Sequence, residues 1–187
     1  TLQDYQAEII ALKPYKNPYK YQHIEECLQQ CRSSLTTLSI ADKMDLYDSI
    51  LQSICWLNVT DLTAKQQQQE EIVKYLKLIQ EDNVPIDVKW VNMLIKTTIT
   101  VNDQYYDHKC DYDYLLAQEY YNLLPSSHHA DVLTYIMMMR ASLYTNHIDD
   151  YNDYKLLCVK KLKLNAINLP MNTIEEYAIN HQLDVEE

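Results

Sequence analysis

Apolar residues recur along most of this chain at steps of three and four, which is the spacing of one face of an α-helix. The run from about residue 19 to residue 38 illustrates it, with apolar positions at Ile24, Cys27, Leu28, Cys31 and Leu35. Strict alternation is nearly absent and β-branched clusters are few, so strands are not expected. The pattern predicts an all-α protein of about nine helices, near residues 2–12, 19–38, 41–58, 60–82, 87–101, 112–124, 131–144, 150–164 and 172–183.

The predicted helices come in pairs that open with a similar phrase, namely a short polar turn, an Asp or Asn, and then an amphipathic run. Asp87, Asp131 and Asn172 occupy the opening position of three such phrases, where an N-cap residue is wanted. The first two lie 44 residues apart and the last two 41 apart. A helical hairpin of this kind cannot bury its apolar face alone, so neighbours must stack and leave an extended surface for binding.

This spacing predicts how the chain is organised. Residues 1–40 would form N-terminal helices, as a degenerate repeat or a cap, and residues 41–187 would form the repeats. The repeat units are expected near 43–86, 87–130 and 131–171, with a partial unit at 172–187.

Composition and charge narrow the function classes. A chain of 187 residues with 47% hydrophobic residues can bury one real core, and no apolar stretch approaches the roughly 20 residues of a membrane helix. The complete absence of Gly removes the glycine-rich phosphate loops and dinucleotide fingerprints. Five scattered cysteines fit a reducing compartment better than a disulfide scaffold. The net charge of −11 argues against holding nucleic acid by bulk charge.

Signals for catalysis or metal binding are weak. Cys27 and Cys31 share one helix face, but no His or Cys follows at a zinc-site spacing. His128 and His129 lie in a separate predicted loop. No nucleophile, base and oxyanion-binding group can be assigned together. The sequence therefore predicts no enzyme, no cofactor and no metal ligands.

The phrase Val84-Pro85-Ile86-Asp87-Val88-Lys89-Trp90-Val91-Asn92-Met93-Leu94-Ile95 resembles the start of a pentatricopeptide repeat, and so does the shorter run Asp131-Val132-Leu133-Thr134-Tyr135. The family's glycine before its Pro-Asp turn is Asn83 in this chain. The loose repeats are similar to those of fungal mitochondrial members. The resemblance implies a right-handed α-solenoid that binds single-stranded RNA, with about one base read by two side chains of each unit.

Carried over to this chain, the resemblance implies three base-contacting pairs: Asn92 with Asp131, Asp48 with Asp87, and Ile136 with Asn172. The first pair resembles the family's uridine-preferring pairing, and both of its side chains can hydrogen-bond a base edge. The second pair would place two carboxylates beside a phosphate-bearing ligand. In the third pair, the side chain of Ile136 cannot form a hydrogen bond. Capping alone also accounts for Asp87, Asp131 and Asn172.

A cluster of lysines supplies candidate phosphate contacts at Lys155, Lys160 and Lys163, although a solvated helix face is the more common meaning. Trp90 and Tyr135 could stack on bases or pack between helices. The run 137–139 of three methionines is typical of core filling.

The leading interpretation is an RNA-binding helical-repeat protein of mitochondrial gene expression. It would act in the matrix in RNA stability, processing or translation, or as a component of a ribonucleoprotein such as the mitochondrial ribosome. The alternative is a protein–protein scaffold without direct RNA contact, because a net charge of −11 suits a basic partner better than a polyanion.

Overall fold

The computed structural model describes residues 1–35, 37–56, 62–100 and 111–164. The described residues contain eight α-helices, so the predicted all-α class is confirmed: α1 (Leu2–Ala11), α2 (Tyr19–Ser34), α3 (Ile40–Ile54), α4 (Leu62–Glu81), α5 (Val88–Thr97), α6 (Tyr114–Tyr121), α7 (Val132–Tyr144) and α8 (Ile148–Leu164). A short 3₁₀ helix, Ser127–His129, precedes α7. The ninth predicted helix, with its cap Asn172, lies outside the described residues.

One short strand pair departs from the expectation of no strands. β1 (Ile99–Thr100) and β2 (Asp111–Tyr112) form a two-residue antiparallel ladder in which Ile99 pairs with Tyr112. Ile99 and Thr100 are both β-branched, which favours extended backbone directly after the C-cap residue Thr98. Helix α5 ends at Thr97, four residues earlier than predicted.

The chain divides into two compact units, Thr1–Pro85 (unit 1) and Ile86–Glu187 (unit 2). Within unit 1, α1 packs mainly against α3 and also against α2, and α3 packs against α4. Residues 1–40 lie in unit 1 together with α3 and α4. The predicted division between N-terminal helices and repeats near residue 40 stays a prediction. The limits of the individual repeat units and the right-handed solenoid arrangement stay predictions.

Side chains at the helix starts explain why the helices begin where they do. Asp87 accepts a hydrogen bond from the Lys89 amide (2.9 Å) at the start of α5. Asp131 accepts one from the Thr134 amide (2.8 Å) at the start of α7, and the Thr134 hydroxyl accepts from the Asp131 amide, which completes a capping box. Each cap satisfies a backbone donor that the helix itself leaves unpaired. The predicted N-cap roles of Asp87 and Asp131 are confirmed.

Two asparagines replace the glycines that usually end helices. Asn83 (φ 55°) follows α4 and Asn146 (φ 63°) follows α7, both in the left-handed region. The Val84 amide donates to the Ile79 carbonyl and the His147 amide to the Ser142 carbonyl, the long bond of a Schellman motif. Asn tolerates this conformation better than other residues with a Cβ. The chain thus ends two helices sharply without glycine, and Asn83 stands where the resembled family has one.

Helix α7 forms the centre of unit 2. All nine residues from Thr134 to Ser142 are buried, and α7 packs against α5, α6 and α8. A helix that is buried on every side is surrounded by other elements of its unit. The methionine run 137–139 is at most 1% exposed, and Trp90 and Tyr135 are each 2% exposed. The interpretation of these residues as core is confirmed.

Candidate functional site

The predicted base-contacting pair Asn92 and Asp131 meets inside unit 2, where α5 packs against α7. The Asn92 Nδ2 donates to both carboxylate oxygens of Asp131, at 3.1 and 3.2 Å. The Thr134 hydroxyl lies 2.6 Å from Asn92 Oδ1 and 2.8 Å from Asp131 Oδ1, and its single hydrogen serves one of them at a time. The three side chains therefore form a closed network that joins the middle of α5 to the first turn of α7.

Burial separates most of this network from solvent. Asn92 is 6% exposed, Thr134 is fully buried, and Asp131 is half-buried. A base edge could reach the Asn92 amide only after the hydrogen bonds to Asp131 are broken. The geometry gives this pair a structural role in unit 2, since both ends of the amide already have partners.

The other carried-over residues lie in different settings. Asp48, on α3 in unit 1, accepts a hydrogen bond from Gln52 Nε2 (2.7 Å) in the next helical turn. Asp87 caps α5. Ile136 is 7% exposed and belongs to the apolar core of unit 2, which leaves little of it for a ligand. Asn172 lies outside the described residues.

The candidate phosphate contacts lie on α8, Lys155 in its middle and Lys160 and Lys163 toward its end. Lys160 and Lys163 are exposed, whereas the Lys155 ammonium lies 5.9 Å from the Tyr151 ring centroid. Lys161 points elsewhere and donates to the His128 carbonyl (3.0 Å). Lys161 and Lys163 lie in the last turn of α8, where the helix dipole favours cations, and this is sufficient to explain the position of those two.

Unit 1 contains a polar network at an open cleft of about 310 Å³. The Tyr47 hydroxyl donates to Asp82 Oδ2 (2.5 Å), and one Arg32 guanidinium nitrogen donates to both Tyr47 (2.9 Å) and Asp82 (3.2 Å). Lys43 lies 3.7 Å from the same carboxylate. Burial, together with the Asp82 acceptor, raises the pKa of Tyr47. The network ties α2, α3 and the end of α4 together and keeps the tyrosine protonated.

A third cluster lies in unit 1 and combines an acid, a histidine and a cysteine. Glu8 on α1 faces His23 and Cys27 on α2, and one potential ligand atom from each lies within 4.8 Å of the others. The sequence predicts no metal site here, since no His or Cys follows Cys27 at a zinc-site spacing. The partner His23 instead precedes it by one helical turn. The four-residue spacing of His23 and Cys27 was the only signal of this cluster in the sequence. Glu8 joins the two residues through the packing of α1 on α2, which the sequence does not reveal.

Comparisons with known proteins add no identification. The chain matches no protein-family model, no curated protein and no solved structure. Among the described residues, no helix is both long enough and apolar enough to span a membrane. The pentatricopeptide resemblance, the RNA-binding role and the mitochondrial setting therefore stay predictions.

Proposed function

We propose that this chain is a non-enzymatic helical binding protein whose partner is a basic protein surface. The observation that carries the proposal is the closed network of Asn92, Asp131 and Thr134. These side chains were the best candidates for reading a base, and their hydrogen-bonding capacity is used in holding α5 to α7. A partner would therefore bind to the exposed faces of the helices.

The distribution of charge supports a basic partner. Unit 1 carries 12 acidic and 8 basic residues and unit 2 carries 15 and 8, so both contribute to the net charge of −11. Some of the cations are also engaged within the protein: the Lys74 ammonium lies 3.0 Å from Glu25, and Arg32 bonds Asp82. An acidic surface steers a cationic partner and repels a polyanion.

A direct binding comparison tests this proposal. Fluorescence anisotropy would follow the full chain added to a labelled Lys/Arg-rich helical peptide, to oligo(U) and to oligo(A), at low and near-physiological salt. We expect the peptide to bind and its affinity to fall with salt, with no binding of either oligonucleotide at low salt. Binding of oligo(U) without binding of the peptide would overturn the proposal.

RNA contact remains a second candidate because Lys160 and Lys163 are exposed near the end of α8. If these lysines bind phosphates, the double substitution Lys160→Ala and Lys163→Ala should reduce the salt dependence of oligo(U) binding by about two counterions. The matched control is Lys89→Ala, which removes a lysine at the start of α5 instead. A loss in this single-lysine control that is half the loss in the double variant would indicate bulk charge rather than a phosphate site.

A further inference from the structure

The cluster of Glu8, His23 and Cys27 has a geometry that suits a metal ion. His23 Nε2 lies 3.4 Å from a carboxylate oxygen of Glu8, and all three donor atoms lie within 4.8 Å of one another. A tetrahedral zinc ion with bonds of about 2.0–2.3 Å needs its ligand atoms about 3.5 Å apart. Side-chain adjustments of about an ångström would bring the three donors to that spacing.

The types of donor atom narrow the class of cation. A thiolate and an imidazole together select zinc and chemically similar transition metals, whereas calcium and magnesium take oxygen ligands. His23 and Cys27 are four residues apart on α2, so successive turns of one helix present both donors on the same side. Glu8 adds the oxygen ligand from α1. Three protein ligands leave a fourth position for water.

The surroundings of His23 favour metal binding through Nε2. Its other nitrogen, Nδ1, lies 3.4 Å from a carboxylate oxygen of Glu26, and its ring stacks on Tyr19 with centroids 5.1 Å apart. A carboxylate behind a ligating histidine is the usual arrangement that holds the ring in place and raises its basicity. Glu26 and Tyr19 would therefore act as positioning residues.

The cluster concentrates negative charge around a buried thiol. Cys27 is 2% exposed, while the side chains of Glu8 and His23 are 49% and 33% exposed. Burial, followed by the charge of Glu8, raises the pKa of Cys27 to about 12. A divalent cation would offset both effects and displace the thiol proton into solvent. The exposed side of the cluster gives such an ion a route in.

We propose that Glu8, His23 and Cys27 bind a zinc-class divalent cation, with water as the fourth ligand. The proposal depends on unit 1 alone and is independent of the partner proposed above. In binding, the Cys27 thiol loses its proton and a metal–sulfur bond forms, while His23 binds through its neutral Nε2 and no redox step is involved.

Titration of the full, reduced chain with cobalt(II) tests the site. We expect one equivalent to produce thiolate-to-cobalt charge-transfer absorption in the near ultraviolet and visible bands of a tetrahedral ion. Cys27→Ser should abolish the charge-transfer band. Glu8→Gln and Glu26→Gln should each weaken cobalt binding, about tenfold for Glu26→Gln, which removes only the carboxylate behind His23.

Cys31→Ser is the matched control because Cys31 lies one turn further along α2, is also buried and is not part of the cluster. We expect its band to equal that of the original chain, with circular dichroism confirming that each variant is folded. Zinc titration in a weakly buffered solution should also release about one proton per ion, and Cys27→Ser should lose that release. Absence of the charge-transfer band, its persistence in Cys27→Ser, or its equal loss in Cys31→Ser would overturn the proposal.

Discussion

Substitution of Asn92 separates a structural role from a base-reading role. In Asn92→Ala, the Asp131 carboxylate loses the hydrogen bond from a buried amide, which at a charged acceptor is worth about 1.5–3 kcal/mol. The Thr134 hydroxyl keeps a hydrogen-bond partner in this variant, because it donates to Asp131 Oδ1 at 2.8 Å. We therefore expect unit 2 to lose about 2–3 kcal/mol of unfolding free energy.

The comparison of Asp131→Ala with Asp87→Ala isolates the network from simple capping. Asp87 caps α5 alone, so its removal should cost about 1 kcal/mol. Asp131 caps α7 and also accepts from Asn92, so its removal leaves a buried amide unpaired and should cost about 2–4 kcal/mol. The double variant Asn92→Ala with Asp131→Ala should cost about 1–2 kcal/mol less than the sum of the two single variants.

The two tryptophans allow unit 2 to be measured on its own. Trp90 is buried in α5, and Trp56 belongs to unit 1. In a Trp56→Tyr background, urea unfolding followed by Trp90 emission reports unit 2. A change in the unfolding free energy of less than about 0.5 kcal/mol in Asn92→Ala, the usual range for a surface substitution, would refute the structural role of Asn92. Unchanged stability together with lost oligo(U) binding would restore Asn92 as a base contact.

Three further outcomes test other contacts. Burial lowers the pKa of Lys20 to about 8, so the unfolded chain holds a proton that the folded chain lacks between pH 8 and 10.5. The free energy of unfolding in urea, taken as the original chain minus Lys20→Met, should therefore rise by about 2 kcal/mol from pH 7 to pH 10. A difference that does not change with pH would contradict this expectation. Tyr114→Phe removes the hydroxyl that donates to Asp150 (2.5 Å) and should cost unit 2 about 1–2 kcal/mol by the Trp90 assay, whereas no cost would mean the contact is not formed. Ile50→Ala empties a fully buried position and should cost unit 1 about 2–5 kcal/mol by Trp56 emission, and a loss under 1 kcal/mol would place Ile50 at the surface.

The local features of the helices could be predicted because they depend on neighbours in the sequence. Asp87 and Asp131 were predicted as N-caps and serve as such, since a cap bonds an amide two or three residues ahead. Helix ends were less predictable. The predicted α2 extended to residue 38 because the chain has no glycine that would mark the end of the helix. In the structure, α2 ends at Ser34.

Hydrophobic periodicity is enough to predict that this protein is α-helical and which residues face its core, and the capping residues predict where α5 and α7 begin. The roles of the polar side chains, in contrast, depend on how the helices pack. Asn92 and Asp131 lie 39 residues apart, and the packing of α5 on α7 makes them partners of each other. Glu8 joins His23 and Cys27 only because α1 packs on α2. Periodicity is a property of one helix, whereas the meeting of polar groups depends on how helices cross, and no local pattern encodes that.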